Sequence, residues 1–134
     1  MTKRFDMQSI ELINIFEKNT RVDVIDCIFD DSSIYFLVDF GKAGMAIGKS
    51  GKNIKKLQLI LKKQVKVFEY NKEPKKFIEN MIPSSNSIKM DETKACVVID
   101  PKEKGKIIGR LGCNIKKIRE LLERNCEIKK LEIK

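Results

Sequence analysis

Apolar positions along the chain change their spacing in an order that repeats. In Asp6–Asn19, Ile10, Ile13 and Phe16 recur at helical intervals and Leu12 widens the stripe, so the spacing predicts an amphipathic helix. Arg21–Phe29 opens with alternation at Val22 and Val24, the two-residue period of a strand. Asp30-Asp31-Ser32-Ser33 is turn chemistry. Ile34–Phe40, "IYFLVDF", is a short β-rich run suited to a central strand. Ala43–Ile47 reads as a short helix. Lys52–Lys63 reads as a second, with Ile54, Leu57, Ile60 and Leu61 facing inward, and Val65–Tyr70 as a closing strand.

The same order then starts again. Pro74 suits a first helical position, and Phe77, Ile78, Met81 and Ile82 form the apolar stripe behind it. Ser87–Met90 and Lys94–Ile99 read as strands. Asp100-Pro101 opens a helix, with Asp as cap and Pro at its first position. Asn114–Arg124 is the next helix and Glu127–Ile133 the last strand. Helix, strand, strand, helix, helix, strand occurs twice, which predicts an α+β fold divided into 1–70 and 71–134.

At an offset of 61 residues the copies match without gaps: Gly44, Ile47, Gly48, Gly51, Asn53, Ile54, Lys55 and Lys56 against Gly105, Ile108, Gly109, Gly112, Asn114, Ile115, Lys116 and Lys117. Two copies are a duplicated domain, too few for a stacked array.

Charge follows the repeat. The net charge is +9, and Phe40–Phe68 holds eight lysines and no acid. Lys102–Asn125 holds eight basic residues against three acids, leaving the remainder of the chain net acidic. Positive charge gathered at two places points to a polyanion, most often nucleic acid. Both places contain a glycine turn, G-x-x-G. Glycine reaches φ > 0 and lets another backbone come close. The helix that follows offers unpaired N–H groups and partial positive charge, a natural seat for phosphate.

Other chemistry is thin. The four cysteines form no C-x-x-C pair and there is no histidine, so neither a metal site nor a histidine-dependent triad is expected. Asp30-Asp31 and Asp91-Glu92 lie in predicted turns, so no enzyme is expected. No apolar run has the length of a membrane span or a signal peptide, and the unpaired cysteines suit reduced cytoplasmic thiols. A monomer is expected, with no cofactor.

"IGKSGKNI", Ile47–Ile54, and "IGRLGCNI", Ile108–Ile115, resemble the signature of the KH domain. The helix and strand placed before the core resemble its prokaryotic type, and the bare tandem resembles the archaeal NusA-like proteins. The resemblance implies two tandem type II KH domains, each a three-stranded sheet with three helices packed on one face. It implies a loop that clamps about four nucleotides of single-stranded RNA. Mapped onto this sequence, the RNA-binding residues are Ile47, Gly48, Lys49, Ser50, Gly51, Lys52, Ile54, Lys55 and Lys56, then Ile108, Gly109, Arg110, Leu111, Gly112, Ile115, Lys116, Lys117 and Arg119. The flanking isoleucines are expected to anchor the helices and floor the base site. The implied role is in transcription elongation or termination, with RNA polymerase or ribosomal complexes as further partners. The alternative is a KH-type scaffold or ribosomal RNA-binding factor in ribosome assembly.

Overall fold

The computed structural model describes residues 7–134, the side chain of Leu111 excepted. The helix start expected at Asp6 and the contact expected of Leu111 lie outside the described residues. The chain divides between Tyr70 and Asn71 into two compact units.

The first unit runs α1 (Met7–Thr20), β1 (Val24–Phe29), β2 (Ser33–Val38), α2 (Ala43–Ile47), a 3-10 turn over Lys49–Gly51, α3 (Lys52–Leu61) and β3 (Gln64–Glu69). The sheet order is β1-β2-β3, antiparallel between β1 and β2 and parallel between β2 and β3. Every residue of β2 is buried, as its central position requires. Ile34, Phe36 and Val38 meet Leu12, Phe16, Ala46 and Leu57 from the helices in one core. The Phe16 and Phe36 rings lie with centroids 4.3 Å apart. Burying each ring stabilises the unit by roughly 1.5–3 kcal/mol.

Two expected core positions lie on the surface. Helix α1 buries Ser9, Leu12 and Phe16, so Ile10, about 100° round the helix from Ser9, is exposed. Helix α3 buries Leu57 and partly buries Ile54 and Leu61, which turns Ile60 outward. Strand β1 also starts later than Arg21. Thr20 Oγ1 accepts the Val22 N–H at 3.2 Å, Glu17 Oε2 accepts the Val24 N–H at 2.9 Å, and Arg21 sits at φ 58°. Those residues turn the chain out of α1. The β1–β2 turn is built by Asp30, whose Oδ1 accepts the N–H groups of Ser32 and Ser33, both at 2.9 Å.

The second unit runs α4 (Pro74–Met81), β4 (Ser85–Asp91), β5 (Lys94–Ile99), α5 (Pro101–Ile108), a 3-10 turn over Arg110–Gly112, α6 (Cys113–Asn125) and β6 (Lys130–Ile133). Its sheet order, β4-β5-β6, has the same directions. Asp100 caps α5 by accepting the Lys102 N–H at 3.0 Å, with Pro101 at the first position. Helix α6 buries Ile115, Ile118, Leu121 and Leu122. It has 13 residues where α3 has 10, yet the sheet register is kept: Ile34 pairs with Val65, and Ala95, 61 residues after Ile34, pairs with Leu131. The longer helix and its return delay β6 to Lys130, past the expected Glu127. Among the described residues no helix is long and apolar enough to cross a membrane.

Candidate nucleic-acid interface

The two glycine turns have closely matching backbones. Gly48 sits at φ 80°, ψ 167° and Gly109 at φ 78°, ψ 174°, a region essentially reserved for glycine. Gly51 (73°, 19°) and Gly112 (76°, 16°) are left-handed. The Gly48 N–H closes α2 on the Gly44 carbonyl at 3.0 Å, and the Gly51 N–H turns back to the Gly48 carbonyl at 3.1 Å. Gly109 and Gly112 repeat both bonds, at 2.9 and 3.2 Å. Between them the N–H groups of Lys49 and Ser50 have no acceptor among the described residues. Both loops hold the same shape, and the first leaves main-chain donors for something else.

Asn53 and Asn114 hold the two turns. Asn53 Nδ2 donates to the Met45 carbonyl at 3.2 Å, and Asn114 Nδ2 to the Lys106 carbonyl at 2.9 Å. Each thereby ties the start of the later helix to the earlier one. A Cβ added at Gly48 would stand 2.9 Å from Asn53 Cγ, and one at Gly109 would stand 2.8 Å from Asn114 Cγ. The asparagine fills the space that the missing side chain leaves. Sequence reasoning aligned these asparagines and gave them no role; their recurrence two residues after the second glycine was the available signal.

The side chains around the first turn are exposed and basic. Lys49, Ser50, Lys52, Lys55 and Lys56 all reach solvent, and the four lysines have no carboxylate partner among the described residues. Beside them an open groove of about 460 Å³ runs between α3 and β3, floored by Ile47, Ile54, Val65, Val67 and Phe68. Gln58 lines it too, and its Oε1 accepts the Val65 N–H at 3.1 Å.

The second turn is different. Arg110, Lys116 and Arg119 are exposed, but Glu103 lies 3.9 Å from Lys106 and Glu120 lies 3.8 Å from Arg124. Lys117 departs from the expected solvent-facing field. It is buried, with Nζ folded back to 3.5 Å from the Cys113 carbonyl, whereas its counterpart Lys56 is exposed. Arg119 Nε donates to the Leu131 carbonyl at 3.2 Å.

The flanking isoleucines also divide. Ile47 and Ile108, before the first glycine, are each 37% exposed and anchor little; Ala46 beside Ile47 is the buried residue. After the second glycine, Ile54 is half-buried and Ile115 buried. Among the described residues no group of Cys, Asp or Glu could hold a metal ion, and all four cysteines are free thiols.

Comparison with known proteins follows the same geometry. The KH domain family model matches residues 11–82. The "Probable transcription termination protein NusA" of Methanocaldococcus jannaschii is 30% identical, over 97% of this chain and 74% of that one. The protein of the same name from Halobacterium salinarum is 28% identical, over 99% of both chains. The crystal structure of APE1850 superposes with a TM-score of 0.75 at 28% identity, covering 97% of this chain and all of that one. With the family signature on the first glycine turn and relatives aligned along nearly the whole length, the chain belongs to the KH-domain family, in its archaeal NusA-like branch.

Proposed function

We propose that the two units are tandem type II KH domains, 1–70 and 71–134, that bind single-stranded RNA through their G-x-x-G turns. The observation that carries this reading is the pair of unclaimed N–H groups at Lys49 and Ser50, in a glycine-fixed loop ringed by unpaired lysines. A phosphate oxygen accepts from those groups. The start of α3 adds partial positive charge, and Lys49, Lys52 and Lys56 add full charges. The strand then follows α3, and its bases turn to the apolar floor of Ile47, Ile54 and Val67. In the second unit Gly109, Arg110, Leu111, Gly112 and Lys116 take the corresponding parts, while buried Lys117 supports the helix.

The relatives' names extend this reading to RNA contact during transcript elongation or termination, with RNA polymerase as a further partner. Fluorescence anisotropy with short single-stranded RNAs tests the clamps. Lys49→Asp/Ser50→Asp is expected to weaken binding about 30-fold, and Arg110→Asp/Leu111→Asp about 5-fold, the span expected for losing one or two charge-assisted bonds. Affinity should fall with salt at a log–log slope of roughly −0.7 per neutralised phosphate. A folded quadruple variant that binds like the parent, or a salt-insensitive complex, sinks the clamp. Should the parent ignore short RNAs and co-purify with precursor ribosomes, the assembly-scaffold reading replaces it.

A further inference from the structure

The second unit has a cavity whose chemistry the phosphate clamp does not use. It lies between the end of α6 and the approach to β6, with a volume of about 270 Å³. Leu122, Ile128 and Leu131 give it an apolar floor, and Arg119, Lys129, Lys130, Glu123 and Glu132 give it charge. Glu132 is occupied, with Lys94 at 3.2 Å and Lys130 at 3.3 Å. Glu123 has no partner among the described residues. Arg119 has committed only its Nε, to the Leu131 carbonyl. That bond fixes the guanidinium on the edge strand and leaves both Nη groups able to donate side by side. One wall therefore offers a fork of donors, and a residue one helical turn away offers a pair of acceptor oxygens.

We propose that this cavity reads a guanine base of the bound RNA strand; the inference rests on the RNA-binding reading above. Guanine carries two acceptors, O6 and N7, on one edge, which is the pattern a guanidinium fork matches. Its other edge carries two donors, N1–H and the N2 amino group, which a carboxylate accepts. No other common base pairs an acceptor couple with a donor couple in this way. Position agrees: Arg119 stands seven residues after Gly112, about 10 Å along the helix, where a base downstream of the clamp would lie.

The first unit lacks both halves of this reader. Gln58, the counterpart of Arg119, spends its oxygen on the Val65 N–H and keeps one amide NH₂. Lys62 stands 61 residues before Glu123 and offers no acceptor. Guanine preference therefore belongs to the second unit alone.

The test uses the full chain carrying Lys49→Asp/Ser50→Asp, so that binding reports the second unit. A uridine octamer with a single guanosine walked along it is titrated by anisotropy. One position is expected to bind about 10-fold tighter than the all-uridine strand, in line with a bidentate contact. Replacing that guanosine by 7-deazaguanosine, which lacks N7, or by inosine, which lacks the N2 amino group, should remove most of the gain. Arg119→Lys and Glu123→Gln should each remove it too, and Glu123→Gln, outside the residues mapped to RNA contact, should leave all-uridine affinity within about 2-fold. If the strand binds through the clamp and no guanosine position stands out, or if the gain survives both variants, this inference fails alone. If the clamp variants never change RNA binding, the reading beneath it fails first. If guanosine monophosphate binds with the same dependence on Arg119 and Glu123 while RNA shows no guanosine preference, the pocket serves a free nucleotide and strand reading is overturned.

Discussion

Around Gly48 the exposed cations Lys49, Lys52, Lys55 and Lys56 have no carboxylate partner among the described residues, whereas around Gly109 acids lie near Lys106 and Arg124. Beside the first turn lies an open apolar groove; in the second unit the cavity is smaller, charged and farther along the helix. The turns between these surroundings nevertheless agree within a few degrees at both glycines. Backbone shape and local chemistry are thus written by different residues. The glycines and one asparagine set the first, and the residues around them set the second, so one copy can change its chemistry without changing its bend.

The largest expected effect probes the shared part. Gly48→Ala and Gly109→Ala each put a Cβ within 3 Å of an asparagine at a dihedral that L-residues avoid. Each should cost about 3 kcal/mol in chemical denaturation. A tolerant Gly109→Ala would break the claim that the two turns are held alike. A smaller effect sharpens it. Asn53→Ala and Asn114→Ala each remove a bond between helices and should cost about 1 kcal/mol. At Gly109 the Cβ and N of residue 114 would still lie 2.9 Å from the new methyl, so the two losses there should nearly add; in the first unit Asn53→Ala removes the two closest atoms and leaves the Asn53 N at 3.1 Å, so the losses there should fall short of additive by about 1 kcal/mol. Strict additivity in the first unit would separate the glycine from the asparagine.

The smallest effect belongs to the second unit only. Hydrogen bonds from Lys94 and then Lys130 hold the Glu132 carboxyl below the usual carboxylate range. A carboxyl depressed on folding contributes its stability above its unfolded pKa and loses it as pH falls through the lower folded value. Acid unfolding should therefore show a slight contribution from Glu132 that Lys94→Ala reduces. An NMR titration that found Glu132 unchanged by Lys94→Ala would remove this term. Because the group is exposed, salt should shrink the shift.

Element order and type were legible because each hydrophobic period is strong, and the repeat let each copy check the other. What periodicity left out was phase and reach. Ile10 and Ile60 fit a helical stripe numerically, but Ser9 and Leu61 share the inward side and turn those isoleucines outward. Lys117 repeats Lys56 in sequence and differs in burial, because a lysine stem can fold its ammonium onto the preceding turn's carbonyl. The site was legible in its glycines, since only glycine suits their dihedrals. It was not legible in Asn53 and Asn114, whose role depends on a carbonyl eight residues earlier. Arg119 could be placed on the right helix, but its bond to Leu131 spans 12 residues of a return whose length differs between the copies.

Gly48, Ser50 and Gly51 hold positive φ, and Asn53 braces the bend from behind. A loop so constrained surrenders little conformational entropy when a ligand arrives. Encounter then resembles docking onto a rigid surface more than folding around a guest, and association should run at a rate set by charge and diffusion, with affinity differences between strands expressed in how slowly they leave.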